Sequence, residues 1–437
     1  MATAREVALK ALIEYRRRGA WPELWLSSAL TELSPEDAGL CSALVGGVMQ
    51  RRMLLDFYLE GLSSVKLKKI TPQVLDILRL GLYQILYMDG VPDYAAVNEA
   101  AGQARRHANP RAAGFVNGVL REAGRRKDVL PQPDTGDALE DLSIRHSYPR
   151  WLVEAVNARL GVDGCRDFLE WGNLPAPVVA RVNTLKISTD GLIDKLDGAA
   201  VRHPWLPDAV VLTAAGEVIR GGALREGLLY IMGAASQLCV LALAPEAGAT
   251  VLDLCAAPGG KSLLAAQMMG GRGRLVAMDI HPHKADLIAK NAENLGLSDI
   301  IQTVAADATV LRPALKESAD FVICDVPCSG LGIVGRKPDI RYKSPEDMAA
   351  LPALQAEILR RAGDYAKPGG VVLYSTCTLL ETENEAVVEG FLRERPEFEC
   401  EGFTLPHVGK IPSGMVTLWP QIHGTEGFFI SKLRKKA

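Results

Sequence analysis

No stretch of the 437-residue chain approaches the ~18 consecutive apolar residues that a membrane-crossing helix needs. The opening Met1-Ala-Thr-Ala-Arg-Glu leads into a charged helix and lacks the apolar core of a signal peptide, so a soluble cytoplasmic protein is expected. Net charge is scarce too: a balance of −3 excludes a uniformly basic chain that coats nucleic acid. The eight cysteines form no paired framework of the disulfide-rich secreted kind, which leaves reduced thiols to be judged one by one. Zinc spacing is missing, because Cys324 and Cys328 lack the two-residue gap and His281, His283 and His423 pair with no thiol run; no metal is expected. Internal repeats and low-complexity tracts are absent.

What is present is enough apolar sequence, 48%, for well-buried cores, and a length that suits about three domains at ~150 residues each. The charge is unevenly spread. Residues 1–130 carry 18 lysines and arginines against 14 acids, a net +4, while the remainder carries −7. Arg16-Arg17-Arg18, Arg51-Arg52, Lys66 with Lys68-Lys69, Arg105-Arg106 and Arg125-Arg126-Lys127 could form a phosphate-facing surface if they converge, or remain ordinary solvated helix faces.

Residues 5–125 read as helical, with Val7, Ala8, Ala11 and Leu12, then Leu40, Leu44, Val45 and Val48, at helical spacing. Breaks fall at Ser34-Pro35, Thr71-Pro72, Gly90-Val91-Pro92 and Asn109-Pro110, giving an all-α domain of about five to seven helices. The run Asp93 to Glu99 and the stretch Gly114-Phe-Val-Asn-Gly-Val-Leu-Arg121 make these first 130 residues resemble the helical RNA-binding domain of the NusB type. Residues 128–139 read as a linker, with two prolines, a glycine and no period. Beyond it, a helix after His146-Ser-Tyr-Pro149, another around Cys165–Trp171, a strand over 177–185, a helix over 188–196 and a strand over 209–213 suggest a small α+β unit of ferredoxin-like type.

From about residue 230 strands and helices alternate, with strands expected at 250–254, 274–279, 300–304, 320–325 and 370–375 and a last β segment at 427–433. That is a doubly wound α/β domain, whose ligand belongs at the carboxyl ends of the strands. The first strand runs into Cys255-Ala256-Ala257-Pro258-Gly259-Gly260, a loop with almost no side-chain bulk, followed by Lys261 and a helix that Gly270 stops. This loop is neither Gly-x-Gly-x-x-Gly nor a Walker lysine loop, which disfavours NAD and ATP and favours a compact adenosyl ligand. Asp279 ends the second strand where a carboxylate can accept from both ribose hydroxyls, and Asp307 follows the third, suited to an adenine amino group. Lys261 has two readings, a partner for a cofactor carboxylate or a solvated helix-start lysine.

The fourth strand ends in Asp325-Val-Pro-Cys328-Ser-Gly and the fifth in Ser375-Thr-Cys377-Thr, placing two thiols at adjacent strand ends beside the same crevice. Cys41, Cys165, Cys239, Cys324 and Cys400 read as inert packing, and Cys255 as a loop filler.

Asp253 to Lys261, Asp325 to Gly330, Lys337-Pro-Asp-Ile-Arg-Tyr342, Ser375 to Thr378, His423-Gly-Thr-Glu-Gly-Phe-Phe429 and Arg181-Val-Asn-Thr-Leu185 closely resemble the Nol-Nop-Sun family of RNA cytosine-5 methyltransferases. Almost the whole chain is similar to its Sun/Fmu-type bacterial branch acting on 16S rRNA. The resemblance implies three parts: a NusB-like RNA-binding domain over 1–130, a ferredoxin-like α+β domain over 140–228, and a Rossmann-like class I methyltransferase domain over 229–437. It implies S-adenosyl-L-methionine bound by residues 255–261 with Asp279, Asp307 and Asp325, RNA as partner, and a monomer without membrane attachment. Cytosine C5 is not nucleophilic, so a thiolate must first add to C6. The resemblance makes Cys377 that nucleophile, Cys328 the group assisting release, and Asp325 a hydrogen-bond partner of the base near N3. The residues alone leave the choice of thiol open, since cytosine-5 methyltransferases acting on DNA use the Pro-Cys thiol. Other readings are an RNA-binding assembly or antitermination factor with a vestigial methyltransferase fold, and a tRNA cytosine-5 methyltransferase. Three departures stand out: Met232-Gly233-Ala234 replaces the usual Gln-Asp-Glu, Gly335 stands where arginine is common, and Glu426 where aspartate is usual.

Overall fold

The computed structural model describes residues 3–18 and 23–437, and the side chain of Arg18 in the first basic cluster lies outside the described residues, as do Met1 and Ala2. The chain divides into two compact units, one running to Leu174 and including Arg336–Tyr342, the other formed by Pro175–Gly335 and Lys343–Ala437. Among the described residues no helix is long and apolar enough to cross a membrane.

The first unit is helical: Ala4–Arg18, Glu23–Thr31, Pro35–Leu62, Pro72–Tyr87, Asp93–His107, Pro110–Arg126, Ala138–His146 and Arg150–Trp171. The expected breaks hold for local reasons. Ser34 accepts from the Asp37 amide and Asn109 from the Ala112 amide, each ahead of a proline in the first turn. Thr71 makes no such bond, so Pro72 begins its helix through its fixed φ alone. Leu44, Val45 and Val48 are buried with Val7, Ala8, Ala11 and Leu12, whereas Leu40 packs at the edge. Two expectations need correction. The linker ends earlier, because the Asp137 carboxylate caps Leu139 and Glu140 and starts a helix at Ala138. The two helices expected beyond Pro149 are arms of one helical stretch bent at Gly161.

Arg341 and Tyr342, from the Lys337–Tyr342 motif, belong to this helical unit. The fully buried Arg341 guanidinium donates to the carbonyls of Gln50, His146, Ser147 and Gly172 and to Asn173 Oδ1, and lies 3.9 Å from the Tyr148 ring centroid. Burial first, then the nearby arginines, push His146 down to about 4, so it stays neutral in this positive setting.

The second unit holds two sheets. Strands β1 (Val178–Val182), β2 (Ala200–Arg202), β3 (Ala209–Leu212) and β4 (Leu229–Ile231) form an antiparallel sheet in the order β2-β3-β1-β4, with helix Thr189–Leu196 following β1. The helices expected in 140–228 thus group with the first unit and the sheet with the second. The larger sheet uses β5 (Thr250–Asp253), β6 (Arg274–Asp279), β7 (Ile301–Ala305), β8 (Ala319–Asp325), β9 (Ala366–Thr376) and β10 (Phe398–Cys400). A hairpin, β11 (Phe403–Leu405) and β12 (Gly409–Ile411), stands apart; β13 (Met415–Leu418) then pairs with β14 (Phe428–Lys435). The order is β10-β14-β9-β8-β5-β6-β7, parallel from β9 to β7, with β14 inserted antiparallel. Its central strands are buried on both faces, as parallel strands under helices must be: Val251 packs into one core with helices 234–243, 260–268 and 282–295, and Leu252 into the other with 351–365 and 385–394. Asn183 ties the small sheet to this domain by donating to Gly227 and Leu295 carbonyls at 2.8 and 3.0 Å.

Candidate active site

The carboxyl ends of β5, β6, β7, β8 and β9 open on one edge of the large sheet. After β5, residues 254–259 turn tightly and Gly259, at φ +107°, takes a backbone shape that favours glycine just before helix Gly260–Met268. Asp253 is buried and accepts from Ser262 at 2.6 Å; burial pushes its carboxyl up to about 7. A cavity of about 160 Å³ lies against this turn, lined among others by Met232, Gly233, Ser236, Cys255, Ala256, Ala257, Pro258, Gly260, Lys261 and Asp325. Burial, then the carboxylates of Asp253, Asp325, Asp279 and Asp307, hold the Cys255 thiol far above its usual range, which makes it a poor nucleophile.

Asp279 is mostly buried at the end of β6 and accepts from the His281 amide at 3.0 Å. Asp307 lies nearby, since the Ala306 amide donates to the Asp279 carbonyl; it accepts from the amide and hydroxyl of Thr309, bonds that hold its carboxyl below the usual range. Beside them, Ile280 and Val310 are exposed apolar side chains, at 58% and 59%.

Asp325, at the end of β8, is gripped from two sides. Its Oδ2 takes Lys261 Nζ at 2.6 Å and its Oδ1 the Ser375 hydroxyl at 2.7 Å. Lys261 is therefore not the solvated lysine of one sequence reading; burial would lower it, but Asp325 holds it above the ordinary lysine range. Because β8 and β9 run parallel with Asp325 beside Ser375, the segments leaving them carry Cys328 and Cys377 together, Sγ to Sγ 3.3 Å. With Cys328 as donor, that hydrogen bond holds Cys377 below the ordinary thiol range, assisted by Lys261, while donation and burial push Cys328 well up.

The other thiols are placed as packing residues would be. Cys41 and Cys165 are pushed up to about 11 and Cys239 to about 12, chiefly by burial. Cys324 is buried within the sheet; Cys400 departs from expectation in being half-buried.

Comparison with known proteins matches the three-part organisation of the chain. The family described as 16S rRNA methyltransferase RsmB/F matches residues 240–434, the NusB family residues 2–125, and the ferredoxin-like domain of RsmF/B-like methyltransferases residues 148–219. The chain is 36% identical to the probable ribosomal RNA small subunit methyltransferase B of Bacillus subtilis (strain 168), over 99% of each chain. It belongs to the ribosomal RNA small subunit methyltransferase B family. The corresponding protein of Sodalis glossinidius is 31% identical, over 99% of this chain and 98% of its own. The crystal structure of PH0851 matches with a TM-score of 0.81 at 26% identity, over 98% of each chain. The chain is accordingly a methyltransferase with a NusB-like helical part, a ferredoxin-like part and a C-terminal methyltransferase domain.

Within this methyltransferase, sequence reasoning passed over the side chains that hold the thiols. Ser375 and Thr378 stood in a quoted motif without a role; Gln355, Glu383 and Asn384 gave no signal, since an acid-rich Glu381-Thr-Glu-Asn-Glu385 reads as a solvated helix start. Glu426, noted only as a departure, accepts from the Ala235 amide at 3.0 Å.

Proposed function

We propose that the chain methylates C5 of a cytosine in 16S rRNA, using S-adenosyl-L-methionine and a covalent bond between Cys377 and C6 of the base. The observation that carries this reading is the pair of thiols 3.3 Å apart, beside the Lys261–Asp325 ion pair. The crevice fits the cofactor: residues 255–261 give a turn with little bulk, and Asp279 and Asp307, at the end of β6 and just past β7, offer carboxylates toward ribose and adenine. Asp325 closes the other end. When bound, S-adenosyl-L-methionine supplies an electrophilic sulfonium methyl group.

The protein's own residues do the rest. The Cys377 thiolate attacks C6, forming the S–C6 bond and giving C5 enamine character. Asp325, oriented by Lys261 and Ser375, hydrogen-bonds the base near N3 and supports its protonation during attack. Once C5 carries the methyl group, Cys328 assists removal of the C5 proton, the S–C6 bond breaks and Cys377 leaves as thiolate. The base must be reached by flipping or in an unpaired loop. The helical domain over 1–130 and the α+β domain over 140–228 present RNA to the 229–437 catalytic domain, and the protein acts as a cytoplasmic monomer.

The deciding experiment incubates variants with in-vitro-transcribed 16S rRNA and S-adenosyl-L-methionine. Cys328→Ala should accumulate a denaturation-resistant protein–RNA adduct and Cys377→Ala should form none. The opposite pattern reverses the two roles, and absence of adduct in every variant removes the covalent route. Bisulfite sequencing of rRNA from cells lacking the protein then names the nucleotide, and an unchanged rRNA pattern with a lost tRNA methylation would move the substrate to tRNA.

A further inference from the structure

Glu383 and Asn384 are consecutive, nearly fully buried, and each brackets one of the two thiols. Glu383 Oε2 accepts from the Ser329 amide at 2.9 Å and from Gln355 Nε2 at 2.8 Å, and the same Gln355 nitrogen donates to the Pro327 carbonyl at 2.9 Å. The residues before and after Cys328 are therefore held through one carboxylate. Asn384 Oδ1 accepts from the Thr376 hydroxyl at 2.5 Å and its Nδ2 donates to the Thr378 carbonyl at 3.1 Å, which fixes the residues on either side of Cys377. A hydroxyl pair, Ser329 with Thr378 at 2.6 Å, joins the two brackets.

A buried carboxylate is costly unless it is paired or fully hydrogen-bonded. Glu383 Oε1 has no hydrogen-bond partner among the described residues, nor does Gln355 Oε1, so the acid is not there to complete a saturated network. Its negative charge lies behind the Cys328 turn. Asp325 adds a second, Lys261 faces Cys377, Tyr374 is neutral under the sheet with its hydroxyl on the Glu383 carbonyl, and Lys343 Nζ donates to the Ser329 carbonyl at 2.9 Å.

We propose that Glu383 and Asn384 are positioning residues of the methyl transfer: Asn384 sets the place of Cys377, and Glu383 sets that of Cys328 while its charge keeps the shared proton on Cys328. This rests on the division of labour between the thiols argued above, and it adds the device that enforces it. A negative charge beside one thiol of a close pair disfavours ionisation of that thiol first, so the partner is left as the nucleophile.

The test alkylates the full-length protein with iodoacetamide across pH, reading each cysteine by mass spectrometry, and measures the rate of adduct formation by rapid quench, before release, on in-vitro-transcribed 16S rRNA with the same variants. In the natural protein Cys377 should react at lower pH than Cys328. Glu383→Gln, which keeps the shape and loses the charge, should bring Cys328 reactivity down by about one pH unit and move the alkaline limb of adduct formation the same way. Asn384→Ala should slow adduct formation about tenfold at every pH without moving either limb. Should Asn384→Ala fold poorly, Asn384→Asp retains the acceptor for Thr376 and should keep more activity than Asn384→Ser. Identical pH profiles for Glu383→Gln and the natural protein would overturn the charge role, and full adduct formation by Asn384→Ala the bracket. The alkylation arm needs no RNA, so it decides the charge role of Glu383 even if Cys328→Ala accumulates no adduct and the assignment of Cys328 to release fails.

Discussion

The Glu426 carboxylate occupies the space that a side chain at Gly233 would fill. A Cβ built on Gly233 lies 2.3 Å from Glu426 Oε1, while Glu426 Oε2 accepts from the Ala235 amide in the first turn of helix Ala234–Leu243. Gly233 is the N-cap of that helix and brings no capping oxygen of its own. Two departures noted separately in the sequence, glycine at 233 and glutamate at 426, are thus halves of one arrangement. An acid one methylene longer reaches across to the helix start that a local aspartate would otherwise serve.

That arrangement predicts a thermodynamic cycle. Glu426→Asp, one methylene short of the Ala235 amide, should lower stability by ~1–2 kcal/mol through loss of the cap, and Gly233→Asp should also destabilise, by steric conflict and like charge. Combining Gly233→Asp with Glu426→Asp should recover most of the loss, because the shortened acid vacates the space and the new aspartate caps locally. Thermal denaturation of the singles and the double gives the coupling. Simple additivity of the two costs would mean that the residues do not share the site.

Lys261 offers a kinetic prediction. It stands 2.6 Å from Asp325 and its charge favours the Cys377 thiolate, whereas Asp325 opposes it. Lys261→Met should therefore raise the Cys377 pKa. Adduct formation should fall about tenfold near neutrality for each unit of that rise and recover as pH increases. Rapid-quench measurement of the adduct across pH separates this from simple damage, which would lower the rate equally at every pH.

Much of this site was legible because it lies at strand ends, where a parallel sheet reads as short apolar runs and its ligand residues follow at once. Asp279, Asp325, Cys328 and Cys377 fall where the runs stop. Residues that act through a second residue carry no such punctuation: Glu383 and Asn384 sit in an acidic stretch whose pattern is that of a solvated helix start, and only the fold turns it inward. Arg341 shows the converse. It stands in a motif shared with RNA methyltransferases and bears a charge, yet its guanidinium is sealed among carbonyls of the helical unit, a fate that local sequence cannot distinguish from a phosphate contact. β2, β4, β10 and the β11–β12 hairpin went unread because three-residue strands give too few alternations to count.

Asp253 makes stability depend on pH. Its carboxyl is pushed up to about 7 by burial, while an aspartate in the unfolded chain titrates near ~3.9. Between those values the folded state holds a proton that the unfolded state has lost, so this contribution is full at the acid end, declines as pH rises toward 7 and is level above it. Asp253→Asn cannot ionise. Its unfolding free energy relative to the natural protein should rise between pH 5 and pH 7.5, on the order of 1 kcal/mol per pH unit at most, as denaturation at each pH measures. A difference independent of pH would mean that Asp253 is already ionised at pH 5.

The basic end of helix Pro110–Arg126 tests how RNA is held. Arg125 pairs with Glu122, and Lys127 lies 3.0 Å from Asp93, so two of the three charges at 125–127 already have carboxylate partners on the surface. Each exposed pair is weak and can be given up to a phosphate, but the acid left behind repels the same phosphate. Replacing Arg125, Arg126 and Lys127 by alanine should therefore weaken binding to a 16S rRNA transcript and flatten its dependence on salt, with the slope of log affinity against log salt falling by about one rather than by the ~2 to 3 that three unpaired contacts would remove. Filter binding at several salt concentrations measures both quantities. An unchanged slope would make this cluster a solvated helix end and direct the search for the RNA surface to Arg51-Arg52 and Lys66–Lys69.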